Sequence, residues 1–295
     1  MDTEKNMEKS SEKNNTDCSG CDSKTCDKKD CKTCGHKKKI MKIPANPMNH
    51  IKHVVGIVSG KGGVGKSSVT SMAAVELQRR GYKVGILDAD VTGPSIPQIF
   101  GMHTVAKSGK YKGIEPVETP SGIKMMSVNV LLEAEDTPVV WRGPVITGVV
   151  KQFWTDVLWR DLDYLLIDMP PGTGDVALTV FQSLPVDGLI MVTSPQTLVG
   201  MIVTKACKMA AKLNVPILGL VENYSYIVCP DCGKKMPVFG KSRVEAFAEE
   251  SNLQVLAKLP VDEKLAEAGD NGTIESYKNE EMAHAVEQIL RMLDK

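Results

Sequence analysis

The chain lacks an excess of charge of either sign, because 36 basic and 36 acidic residues cancel. Without a net field there is no global attraction to nucleic acid or to an anionic bilayer, and neither is expected as a partner. No apolar run approaches the roughly 20 residues that span a membrane. The opening stretch MDTEKNMEKSSEKNN is charged where a secretory leader is apolar, so a cytoplasmic location is expected. In that reducing setting the eight cysteines point to metal or redox chemistry, not to structural disulfides. There is no internal repeat.

Large apolar side chains are also nearly missing from residues 1–49, which are rich in Lys, Asp, Glu, Ser and Asn and cannot form a core alone. What this segment does have is Cys18, Cys21, Cys26, Cys31 and Cys34, in the spacing C-x2-C-x4-C-x4-C-x2-C. Four thiolates ligate one metal centre, and zinc and iron–sulfur clusters accept them equally, so spacing leaves the metal open. A cysteine-bearing disordered tail without metal is the plainer alternative. His36, followed by three lysines, reads as a solvated side chain, and Pro44 and Pro47 mark a linker. The expected division is a cysteine-rich extension over 1–49 and a folded domain over 50–295.

The domain opens with VVGIVSGKGGVGKSSVT, an apolar run meeting a glycine-rich loop and then a helical pattern with Val69, Met72, Ala73 and Leu77 in register. Gly60, Gly65, Lys66 and Ser67 complete a phosphate-loop pattern. Such a loop turns backbone N–H groups and a helix N-terminus toward an anion, while the lysine reaches the terminal phosphates and the serine binds magnesium. Chance would produce the pattern in a chain this long about one time in a hundred. The nucleotide-binding set is therefore Gly60, Lys61, Gly62, Gly63, Val64, Gly65, Lys66, Ser67 and Ser68, with ATP and Mg2+ as the expected ligands.

Apolar runs near 54–59, 83–88, 124–128, 162–168, 188–193, 215–221 and 254–259 alternate with helical patterns, which predicts βαβ units and a mainly parallel, doubly wound α/β sheet. Only 101–123 looks irregular. Asp88 ends the second run and Asp90 follows closely, so both fall at the sheet edge where open α/β folds bind ligands. One carboxylate is suited to orient water and the other to meet the magnesium shell. Asp168 ends the LLID run where phosphate-loop enzymes place a magnesium carboxylate. Cys229 and Cys232 form a C-x2-C pair in a turn closed by Gly233, half of a tetrahedral site whose other half can come from a second chain or from the N-terminal array, with a plain zinc knuckle as the competing reading. Cys207, alone in a helical run, reads as a core thiol. The C-terminal NEEMAHAVEQILRMLDK reads as an amphipathic helix that docks on the domain rather than on a membrane.

The loop GKGGVGKS, with Lys61 directly after its first glycine, resembles the deviant phosphate loop of the MinD/ParA-type ATPases. DADVTGPS resembles that family's first switch, and DMPPGTGD, with Gly172 facing a γ-phosphate, its second. With Cys229 and Cys232, the likeness narrows to the Mrp/ApbC-like iron–sulfur cluster carriers. The resemblance implies a homodimer sandwiching two nucleotides through Lys61, with Lys61, Asp88 and Asp90 in catalysis and Asn223 reading the adenine edge. It also implies an iron–sulfur cluster, of the 4Fe–4S type, shared by the Cys229/Cys232 pairs of two chains and passed to apoproteins. Two other functions fit the same residues: ATP-driven electron transfer of the nitrogenase iron-protein kind, and a positioning ATPase with structural zinc.

Overall fold

Eleven strands organise the described chain: β1 (His50–Ser59), β2 (Val84–Asp88), β3 (Lys107–Ser108), β4 (Ile114–Glu115), β5 (Val117–Glu118), β6 (Lys124–Met126), β7 (Asp161–Asp168), β8 (Gly188–Thr193), β9 (Ile217–Val228), β10 (Lys235–Met236) and β11 (Val255–Pro260). Nine of them form one sheet in the order β10-β9-β8-β1-β7-β2-β6-β5, with β11 also paired to β9. The pairings from β11 through β9, β8, β1, β7 and β2 to β6 are parallel, and only the short β5 and β10 run antiparallel. The computed structural model describes residues 42–108, 113–131, 143–172, 174–195, 199–240 and 242–294. The N-terminal cysteines, His36, Lys110 to Lys112, Trp141, Arg142 and Thr173 lie outside the described residues.

Helices α1 (Lys66–Arg79), α2 (Ile96–Ile99), α3 (Gly143–Thr155), α4 (Asp175–Ser183), α5 (Val199–Leu213), α6 (Val244–Glu250), α7 (Glu263–Asp270) and α8 (Glu280–Leu293) connect and flank the strands. The central strands read as unbroken apolar runs because both faces are covered; every residue of β2 and β8 is buried. Helix α1 turns Val69, Met72, Ala73 and Leu77 inward against β1, β2 and β7, as its spacing predicted. In α3, Val150, Phe153 and Trp154 are buried. Helix α8 buries Met282, Val286, Ile289 and Leu290 on α1 and β11, and no described helix is long and apolar enough to cross a membrane.

The interval 101–123 holds the β3–β4 hairpin and β5, strands too short to show a period in the sequence. Ile40–Lys295 forms one compact unit. Within it, residues 42–49, with Pro44 and Pro47, are tied down by backbone and side-chain bonds. The Ile43 N–H donates to Ser183 O at 2.7 Å, Trp154 Nε1 to Ile43 O at 2.9 Å, and Asn49 Nδ2 to Val157 O at 2.9 Å.

Candidate functional site

The C-terminal ends of β1, β2 and β7 lie side by side, so chemistry from distant parts of the chain meets at one edge. Asp88 and Asp168 are direct register partners, and Ile57, two residues before the end of β1, pairs with Asp168. The loop 60–65 leaves this edge and enters α1 through Gly65, whose φ of 76° is left-handed. A side chain is excluded there twice over. Besides the backbone, a Cβ at Gly65 would lie 2.2 Å from Asn223 Nδ2 and 2.9 Å from the Tyr224 hydroxyl.

Lys66 is 6 % exposed and places Nζ 2.8 Å from Asp168 Oδ2 and 3.6 Å from Asp90 Oδ2. Ser67 Oγ donates to Asp168 Oδ2 at 2.6 Å, and Thr70 Oγ1 donates to Asp168 Oδ1 at 2.7 Å. Thr70 was not singled out from the sequence. Its one signal is a hydroxyl four positions after Lys66, and therefore one helical turn on, along a face otherwise apolar.

Asp88 is 1 % exposed, accepts from Ser127 Oγ at 3.0 Å through Oδ2, and accepts from the Asp90 N–H at 3.1 Å through Oδ1. Burial and then the neighbouring Asp168 charge push its carboxyl up to about 8. Burial raises Asp90 as well, against the pull of Lys66. Asp168 and Asp90 thus share one ammonium group, with Asp88 bonded to Ser127 and to the Asp90 N–H beside them. Ser67 Oγ and Asp168, in contact here, are oxygen ligands of the kind a divalent cation prefers.

A cavity of about 370 Å³ opens beside these groups, lined by Gly62 to Ser68, by Asp90, Gly93 and Ser95 after β2, by Pro171 after β7, and by Tyr224. Asp88 lies beneath it. Lys61 is half-buried, its carbonyl accepting from Ser59 Oγ at 3.0 Å, and is not among the lining residues. Neither is Asn223, which is fully buried inside β9. Its Nδ2 donates to Val64 O at 3.0 Å and its Oδ1 accepts from the Tyr224 N–H at 3.0 Å. The Gly172 N–H donates to Ser59 O at 2.8 Å.

Cys229 follows β9 directly, and β10 folds back antiparallel on Ile227 and Val228. The Cys229 N–H donates to Lys234 O at 3.0 Å, the Gly233 N–H to Cys229 O at 2.9 Å, and Gly233 takes a φ of 69° to close the turn. Backbone N–H groups of Cys232 and then Asp231 hold the Cys229 thiol below its ordinary value, favouring the thiolate that binds metals. Cys229 is half-buried, Cys232 exposed, and neither is in a disulfide. Ile227, Val228 and Met236 on the strands flanking the turn, and Val238 and Phe239 just beyond them, are exposed. Among the described residues no three His, Cys, Asp or Glu side chains gather as a metal site, so this chain segment offers two ligands. Cys207 contacts Met191 Sδ at 3.7 Å, and burial pushes its thiol up.

A sequence model described as "ParA: NUBPL iron-transfer P-loop NTPase" matches residues 50–294. The iron-sulfur cluster carrier protein of Clostridium perfringens is 46% identical over 267 residues, 88% of this chain and 94% of its own. That of Methanocaldococcus jannaschii is 44% identical over 284 residues, 93% and 98% of the two chains. Among solved structures, a nucleotide-binding protein of Archaeoglobus fulgidus in complex with ADP superposes with a TM-score of 0.71 at 40% identity, covering 78% of this chain and 90% of that one. The cell division ATPase MinD of Pyrococcus furiosus, at 22% identity and a TM-score of 0.59 over 81% and 99% of the chains, shares the fold. A phosphate loop backed by converging carboxylates, a paired-cysteine turn and these relatives together make the chain a member of the iron–sulfur cluster carrier family of P-loop NTPases.

Proposed function

We propose that this protein binds and hydrolyses ATP and carries an iron–sulfur cluster, of the 4Fe–4S type, to acceptor apoproteins, acting as a homodimer in the cytoplasm. The observation that carries the reading is the half-site. Cys229 and Cys232 present two exposed-to-half-buried thiols on a turn whose flanking segments expose apolar side chains, with no third ligand near them among the described residues. A two-fold axis at this turn supplies the second pair of thiolates, and the flanking apolar side chains supply area to bury. Exposed, unpaired thiols of this kind persist in a reducing compartment.

At the other site, Lys66 exchanges its Asp168 partner for the β- and γ-phosphates of ATP as the loop N–H groups take up the phosphate oxygens. Ser67 Oγ and Asp168 would hold Mg2+, which would neutralise charge at the phosphates. Asp90, which lines the cavity, orients the attacking water, and Asp88 beneath it fixes Asp90 through the backbone N–H. Lys61 reaches the nucleotide of the partner subunit. The N-terminal cysteines form a second metal-binding array.

Sedimentation of the full chain, with Cys18, Cys21, Cys26, Cys31 and Cys34 replaced by Ser, tests the half-site after anaerobic addition of iron and sulfide. The dimer fraction should rise on reconstitution, because whatever binds only the dimer stabilises it. Adding Cys229→Ser and Cys232→Ser should remove that rise together with cluster transfer to an apoenzyme. A doubly substituted protein that still dimerises on reconstitution and donates clusters would rule out the shared site.

A further inference from the structure

Tyr224 joins the two sites. In a regular strand Asn223 and Tyr224 would point to opposite faces. Tyr224 instead has a φ of 58°, and the pairing of β9 with β11 slips here, Lys258 opposing Glu222 but Pro260 opposing Tyr226. This kink brings both side chains to the same side, against Gly65 of the phosphate loop. Asn223 bonds Val64 O and the Tyr224 N–H, and the residue of β9 that lines the cavity is Tyr224. A left-handed backbone is rare for a bulky aromatic residue and persists where surrounding contacts over-determine it, a pattern concentrated at functional sites.

The kink also sets the base of the cysteine turn. Buried Glu222 accepts from Ser225 Oγ at 2.6 Å, where the chain leaves for the turn, and from Ser242 Oγ at 2.8 Å, where it returns. One carboxylate therefore clamps both stems of the excursion that carries Cys229 and Cys232. Farther along the outgoing stem, Tyr226 OH donates to Glu281 Oε1 at 2.9 Å. A ligand that shifts Tyr224 acts on a strand whose next fixed points are this clamp, the Tyr226–Glu281 bond and the pairing with β10, on the way to the thiols.

We propose that Tyr224 is a nucleotide-contacting positioning residue through which occupancy of the phosphate-loop cavity alters the exposure of Cys229 and Cys232. The proposal rests on the nucleotide-site reading above. Its observable is chemical. In cluster-free full-length protein, saturating MgADP changes the alkylation rate of Cys229 and Cys232 by iodoacetamide about fivefold or more, the lower range of ordinary site-to-site coupling. Peptide mass spectrometry separates these thiols from the other six cysteines.

Tyr224→Gly removes the ring at a backbone conformation that glycine adopts without strain, so the fold is retained. In calorimetric titration this variant should bind ADP about tenfold more weakly, the scale of one lost aromatic contact with a ligand. At saturating MgADP its alkylation rates should match those of the free protein, and Tyr224→Phe should restore both affinity and response. Unchanged affinity in Tyr224→Gly removes Tyr224 from the nucleotide. A full nucleotide response of the thiols in that variant, or none in a wild type that binds ADP, overturns the coupling. Failure of the wild type to bind ADP at all instead overturns the nucleotide-site reading.

Discussion

The two sites differ in how complete they are within one chain. At the phosphate loop, Lys66, Ser67 and Thr70 all converge on Asp168, and buried Asp88 is held by Ser127. At the cysteine turn, two thiols and five large apolar side chains face outward. Buried charge must be satisfied internally or the fold loses several kcal/mol, whereas a thiol on a surface turn costs almost nothing to leave unliganded. The phosphate-loop site is therefore built in advance, whereas under the function proposed above the cysteine turn waits for a second set of ligands.

The strongest way to break this contrast is Lys66→Ala. It removes the ammonium group paired with Asp168 and Asp90, and ATP turnover should fall by about a thousandfold, the scale of losing a preorganised charge-stabilising donor. Iron bound at Cys229 and Cys232 should be unaffected in the nucleotide-free protein. Turnover assays and iron analysis on one preparation check both, and normal turnover would remove Lys66 from the site.

A more selective perturbation is Asp88→Asn. Between its ordinary 3.8 and about 8, Asp88 keeps in the folded protein a proton that the unfolded chain has lost. The carboxyl therefore lowers stability progressively as pH rises through that window, and no further above it. The amide retains the shape without the ionisation, so its stability advantage over wild type should grow by more than about 1 kcal/mol from pH 4 to pH 8. Thermal unfolding of nucleotide-free protein across this range checks it. Parallel curves would show that Asp88 is not held protonated.

Removing residues 1–40 sharpens the comparison from the other side. The shortened chain should keep ATPase activity and the fold, since the segment supplies almost no apolar surface, while iron content falls without vanishing. Loss of nucleotide binding would make the segment part of the domain. The smallest effect belongs to Asn279→Ala, far from either set of ligands. Asn279 Oδ1 accepts from the Met282 N–H at 2.8 Å and caps α8. Its loss should cost about 1 kcal/mol in denaturant unfolding. Nucleotide affinity and thiol reactivity should stay unchanged, which marks the background against which the other variants are judged.

Much of the sheet was legible beforehand because the signal is local. Runs such as 162–168 and 188–193 became β7 and β8 with little change at their ends. The edge was less legible. The run expected to stop at residue 221 continues as β9 to Val228, through polar Glu222, Asn223 and Ser225, because those side chains find buried partners that no window of sequence displays. Ser127 beneath Asp88, some forty positions away, is of the same kind.

The amino-acid sequence by itself determined the alternating elements, the phosphate loop between β1 and α1, and the spacing of Cys229 and Cys232. Each follows from backbone repeat or from residues adjacent in the chain. Tertiary structure alone decided which polar groups satisfy one another: Thr70 beside Ser67 on Asp168, Asn223 on the loop instead of in the cavity, and Tyr224 turned toward Gly65. Those pairings depend on the order and register in which strands meet, and desolvation makes that choice across the whole molecule at once.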